Sequence, residues 1–149
     1  MHLHVFEPLS ITREEKTLKV NMVAAVDMNS IEYDTSKKGL ETVLKNWQIE
    51  AMRTVWGNPG GMKSYTVWKK VNEALDGGTI SRASIINFLE DMRAMGVLSG
   101  VEESGKGGYH WIYSPAMDES GFKKFIVEKM VSGLLSNYPK ETREVISQL

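Results

Sequence analysis

Glycine-bearing interruptions cut the middle of this 149-residue chain into pieces that suit small helices and a hairpin. They are Gly57-Asn58-Pro59-Gly60-Gly61, Asp76-Gly77-Gly78, Gly96, and the run Gly105-Lys106-Gly107-Gly108. Glycine and proline are the strongest local breakers of regular structure, so the chain turns at each one. Between the first three breaks, apolar residues recur at the helical period. Leu40, Val43, Leu44 and Trp47 stand at i, i+3, i+4 and i+7, and Ala51, Met52, Val55 and Trp56 prolong the stripe. Asn46 offers a cap for a fresh helix running to Trp56, which would split that segment in two. A second helix is expected from Ser64 to Leu75, with Val67, Trp68, Val71, Ala74 and Leu75 inward. A third begins near Ser81. With Ile85 at the centre of its buried face, Phe88, Leu89 and Met92 fall within about 60° of that centre, at roughly 100° per residue. Ala83, Asn87 and Glu90 then lie opposite, flanked by Ser84, Ile86 and Asp91. Gly96 takes the position after the helix where a positive φ is needed.

Beyond Gly96 the period changes. Val97–Val101 reads as a short strand, 102–108 as a polar loop around Lys106, and Tyr109–Tyr113 as a second strand. Tyr109, Trp111 and Tyr113 share one face of it, His110 and Ile112 the other. A lone hairpin is marginal in water, so this one must pack on the helices. Asp118–Tyr138 is helical again, about 28 Å for some 19 residues. Phe122, Phe125, Ile126, Met130 and Leu134 form its stripe, with Gly133 on the edge. Pro139 breaks it, and Glu141–Leu149 adds a final turn or two. At the other end, His2–Phe6 and Leu18–Met22 alternate like strands, so residues 1–39 are expected to form an N-terminal arm or β-ribbon, the other reading being a partly ordered tail. The expected class is α+β, mainly α: extension 1–39, a three-helix and hairpin unit 40–115, and a helical segment 116–149.

Several function classes drop out. With no cysteine, disulfides, thiolate metal sites and thiol catalysis are excluded. His2 and His4 stand at i, i+2 on a would-be strand, but nothing nearby completes a ligand set, so no metal and no cofactor is expected. The Gly105–Gly108 run sits in a hairpin and not before a helix, unlike a phosphate-binding loop. No paired catalytic motif is present, and an enzyme is not expected. No apolar run approaches the roughly 20 residues of a membrane helix, and the N-terminus lacks a signal-peptide layout, which points to a cytoplasmic protein without membrane contact. Net charge is −1. Residues 1–43 carry five basic and seven acidic groups, 44–113 eight and seven, and 114–149 five and five. Any basic patch must therefore come from sidedness.

A helix opening on Ser81-Arg82-Ala83-Ser84 and leading straight into a hairpin is how a winged helix-turn-helix, three helices plus a β-hairpin wing, presents itself to double-stranded DNA. Trp47-Gln48-Ile49-Glu50-Ala51-Met52-Arg53-Thr54-Val55-Trp56, Ser81-x-x-Ser84-Ile85, Leu89-x-x-Met92-x-x-x-Gly96-Val97-Leu98 and Tyr113-Ser114-Pro115 carry a further likeness. In that order they resemble the penicillinase-repressor family of winged-helix regulators, which includes copper-transport repressors. The resemblance covers 47–115, just under half the chain. It implies a homodimeric transcriptional repressor joined by its C-terminal helical segment. The chain departs from the family at Met95, where a lysine is usual, in its sparse basic residues, in lacking a cysteine-rich tail, and in its N-terminal extension. The effector is accordingly left open.

On this reading Ser81, Arg82 and Ser84 reach phosphates or base edges at the positive end of the third helix. Arg82 suits a guanine, Asn87 an adenine, and Ile86 a thymine methyl. Lys63, Ser64 and Tyr65 would hold backbone phosphates, and Lys106 an adjacent minor groove, against which Glu102 and Glu103 argue. The blander reading makes Arg82 a solvated side chain and Ser81 a cap worth roughly 1 kcal/mol. Trp47, Trp56 and Trp68 are read as core, Trp111 as either core or a stacking surface. Phe122, Phe125, Ile126, Met130, Gly133 and Leu134 are expected at a twofold helix pairing. The competing function is a winged-helix protein-interaction module within a larger assembly, for which near-neutral charge is natural.

Overall fold

The computed structural model of the chain describes residues 31–105 and 107–149. The expectations placed on residues 1–30, including His2 and His4, and on Lys106 lie outside them. The described elements are a 3-10 turn Gly39–Thr42, α1 Asn46–Trp56, β1 Met62–Lys63, α2 Ser64–Ala74, α3 Arg82–Ala94, β2 Leu98–Gly105, β3 Gly108–Pro115, α4 Glu119–Asn137 and α5 Pro139–Ser147. The fold is α+β and mainly helical. Its antiparallel sheet runs β1-β3-β2, with Met62 opposite Tyr113 and Leu98 opposite Pro115. A hairpin that follows α3 directly is an arrangement consistent with a winged helix.

The helical period places the core correctly. Ala51, Met52 and Val55 of α1, Val67 and Val71 of α2, and Ile85, Phe88, Leu89 and Met92 of α3 converge on one cluster, closed by Val97, Leu98 and Tyr113. Trp47 lies edge-on to Phe88, ring centroids 5.5 Å apart, which confirms it as a core aromatic. At the end of α3, Gly96 has φ +81°, the Gly96 N–H donates to the Arg93 carbonyl at 3.0 Å, and the Val97 N–H donates to Met92 at 2.9 Å. Both bonds of a Schellman cap are present, and they aim the chain from helix into strand.

The structure differs from the sequence reading in five places. The stripe beginning at Leu40 splits in two, with α1 running Asn46–Trp56 as the alternative at Asn46 allowed, but the first piece and the cap are not as expected. Leu40 sits in the 3-10 turn, and Lys45, not Asn46, occupies the extended position before α1, where its N–H donates to Gln48 Oε1 at 2.8 Å. Ala74 is exposed, because α2 stops there and Leu75 turns extended. Residues 102–105, read as loop, continue β2: pairing runs out to Gly105 opposite Gly108. Backbone pairing needs no apolar side chains, so polar residues occupy that part of the ladder without a strand signal in the sequence. Pro139 ends α4 but also begins α5, since its fixed φ suits a first helical position.

The fifth difference concerns α4. Phe122 has no exposed surface and Ile126 is 7% exposed; both lie in the protomer's own core. Phe122 packs on Trp56 at 5.8 Å between ring centroids, and the Trp56 Nε1–H donates to the Met117 carbonyl at 3.1 Å. Three helices and a short sheet leave an apolar side of α1 open, and the first turns of α4 cover it. Burial thereby removes Phe122 and Ile126 from any surface offered to a partner.

Candidate nucleic-acid interface

The connection between α2 and α3 sets where α3 begins. Asn72 faces that connection and binds its last residue twice: the Ile80 N–H donates to Asn72 Oδ1 at 2.8 Å, and Asn72 Nδ2 donates to the Ile80 carbonyl at 3.2 Å. The same amide donates to the Trp68 carbonyl at 2.9 Å. Trp68 Nε1 donates to the Ile80 carbonyl as well, at 2.9 Å. A turn carrying Gly77 and Gly78, both at positive φ, is thus held by side chains of the preceding helix. Ser81 follows and caps α3, its Oγ accepting the Ser84 N–H at 3.1 Å and lying 2.9 Å from the Ser84 hydroxyl.

Beyond this cap, α3 presents Arg82, Ala83, Ile86 and Asn87 to solvent, with Ser84 half-buried. Of the group at the start of α2, Tyr65 is brought to this face. The Arg82 guanidinium carbon lies 5.2 Å from the centre of the Tyr65 ring, and Tyr65 is 47% exposed. The Tyr65 ring in turn lies 5.6 Å from Trp68. Lys63 is exposed on β1, paired with Ile112, while Ser64 is half-buried where α2 starts. Lys69, one helical turn after Tyr65 and exposed, belongs with this group. Sequence reasoning missed it, although its i+4 spacing from Tyr65 was there to be read. It also missed Asn72, whose partner lies across the turn.

At the other end of α3, Glu90 is not a free polar group of the outer face. Arg93 donates to it through Nε at 3.0 Å and Nη2 at 3.2 Å, and the Tyr113 hydroxyl donates to the same carboxylate at 2.7 Å. The Arg93 guanidinium lies 4.5 Å from the centre of the Trp111 ring. A Cβ at Gly100 would come within 2.5 Å of Arg93 Cδ and 3.0 Å of the Trp111 ring, so only glycine lets them pack on β2. The hydrogen bonds from Arg93 hold the Glu90 carboxyl below its usual pKa, against partial burial. Burial, helped by Glu90, pushes the Tyr113 phenol well above its usual range. These contacts fasten the hairpin to α3. Trp111 is therefore a packing surface for Arg93.

The C-terminal helices divide. Phe125 and Met130 are half-buried against the core, whereas Leu134 is 48% exposed and a Cβ at Gly133 would meet nothing within 4 Å. Val127, Val145 and Ile146 are exposed on the same two helices, and Tyr138 at the junction between them. Among the described residues, no cluster of His, Cys, Asp or Glu is arranged to hold a metal, and no helix is long and apolar enough to cross a membrane. Comparison with models of protein families, with curated proteins and with solved structures finds no match.

Proposed function

We propose that the chain is a sequence-specific DNA-binding transcriptional regulator of the winged helix-turn-helix type. In this reading α1, α2 and α3 form the three-helix core, the β2–β3 hairpin is the wing, and α3 enters the major groove by its Ser81 end. One observation carries it: the capped, exposed start of α3 bears Arg82, Ile86 and Asn87, and is fixed in place by Asn72 and Trp68 beside Tyr65. A helix N-terminus preset beside a hairpin suits a duplex, whose phosphates favour its positive end. The resemblance to the penicillinase-repressor family adds the expectation of a homodimeric repressor. Exposed Leu134, Val145 and Ile146, with open space at Gly133, are the surface on which a second copy would pack. Two units would then meet half-sites about one DNA turn, roughly 34 Å, apart.

The test is fluorescence anisotropy of a labelled random duplex over a range of salt. About four phosphate contacts per protomer in a dimer give a log–log slope near −7, at roughly −0.9 per contact. A slope near zero refutes the reading. The competing interaction-module reading draws on Glu102 and Glu103, both exposed on β2 where phosphates would repel them. Absence of retention on heparin and on DNA at low salt would favour it.

A further inference from the structure

Of the arginines in the described residues, Arg82 is the one with neither an acidic nor a carbonyl partner. Arg53 pairs with Glu50 at 4.0 Å, Arg93 with Glu90, and Arg143 donates to the Pro139 carbonyl at 3.3 Å. Arg82 meets only the face of Tyr65. That face is not loose: Tyr65 lies against Trp68, and Trp68 is hydrogen-bonded to Ile80, next to the Ser81 cap. A guanidinium lying over a braced ring keeps its fork of donors available while losing less freedom when it binds.

We propose that Tyr65 and Arg82 form one base-reading unit, Tyr65 being the platform from which the Arg82 fork addresses the O6 and N7 edge of a guanine in the major groove. The proposal rests on the DNA-binding reading above and makes Tyr65 a specificity-determining residue, where the sequence alone suggests a phosphate contact. A phosphate can take a fork but does not need one, and a lysine serves it as a point charge. Guanine presents two acceptors that a planar fork matches together. The first turn of a recognition helix is where base edges are met.

The experiment is selection from a randomised DNA duplex pool by the full chain and three variants: Arg82→Lys, Tyr65→Leu and Tyr65→Phe. Both side chains are exposed, so each variant should fold, and circular dichroism melts are to check that it does. The natural chain should enrich a motif containing an invariant guanine. Arg82→Lys should keep duplex binding but relax the preference at that position by on the order of tenfold. Tyr65→Leu should relax the same position about two- to fivefold, the strength of an exposed cation–π contact, while Tyr65→Phe, which keeps the ring, should not. An unchanged motif in Arg82→Lys and Tyr65→Leu overturns the proposal and leaves the DNA-binding reading standing. So does a uniform loss of affinity in Tyr65→Phe, the mark of a hydroxyl–phosphate contact. Failure of the natural chain to retain any duplex at low salt overturns both.

Discussion

Replacing Tyr113 by phenylalanine tests whether the hairpin is fastened to α3 by a polar contact or merely rests on an apolar one. Tyr113 is 2% exposed and its hydroxyl donates to Glu90 Oε2 at 2.7 Å. Phenylalanine keeps the ring, so no cavity of consequence forms and the change isolates the hydroxyl. A hydrogen bond to a charged partner contributes about 1.5–3 kcal/mol, but the Glu90 side chain is 34% exposed, and water replaces part of what is lost. The expected destabilisation is about 1–1.5 kcal/mol, a fall in Tm of roughly 2–6 °C for a chain of this size. Urea and thermal melts measure it. Combination with Glu90→Ala should show a coupling of about 1 kcal/mol, since each change removes the same bond. Alkaline pH supplies an independent readout. The folded phenol titrates above its unfolded value of about 10, so its contribution is complete below that pH and is lost as pH rises beyond it. The phenylalanine variant should therefore lose less stability above about pH 10 than the natural chain does. A Tyr113→Phe protein within about 0.3 kcal/mol of the natural chain, or strict additivity with Glu90→Ala, would refute the fastening.

Three further outcomes follow from other contacts. Glu90 titrates below its unfolded value when folded, so its contribution is present above about pH 4.3 and disappears as pH falls through the lower folded pKa; urea midpoints of Glu90→Gln and the natural chain should converge in acid. Asn72→Ala strips the Ile80 N–H of its acceptor and should cost about 1–2 kcal/mol, with faster hydrogen exchange at the Ile80 amide; unchanged exchange would mean the turn holds itself. On the proposed dimer, Leu134→Asp should leave circular dichroism unchanged and shift sedimentation at micromolar concentration toward monomer. A natural chain already monomeric there would remove the dimer.

What was legible in the sequence was whatever one segment decides for itself. Ile85, Phe88, Leu89 and Met92 are buried as their spacing requires, because a helical period fixes a face whatever it packs against. Gly96 takes its positive φ because the cap is local. A stripe, however, says that it needs cover and not whose surface supplies it. Phe122 and Ile126 belong to the stripe of α4, and the protomer itself supplies their cover. Residues 102–105 pair as strand through backbone groups that every residue possesses. Tyr113 and Glu90 meet across 23 positions, a distance no local pattern spans. The Glu90–Arg93 pair at i, i+3 was readable, but not the hairpin that it fastens.

The same contacts explain why a count of charges says little about this surface. By formula α3 holds Arg82 and Arg93 against Glu90 and Asp91 and is neutral. In space its arginines have different tasks. Arg93 is consumed by Glu90 and Trp111 in fastening the hairpin, so neither member of that pair contributes much field to the outer face. Arg82 keeps its charge and its donors at the opposite end, where Lys69 follows Tyr65 on α2 and the Ser81 cap leaves further helix N–H groups of like polarity. Arg82 and the helix N-terminus thus place positive charge at one end of α3, and the acidic side chains of β2 stand on the hairpin instead. Near-neutral net charge and a local anion-attracting end are therefore compatible, because pairing within the fold and not composition decides which charges a duplex would meet.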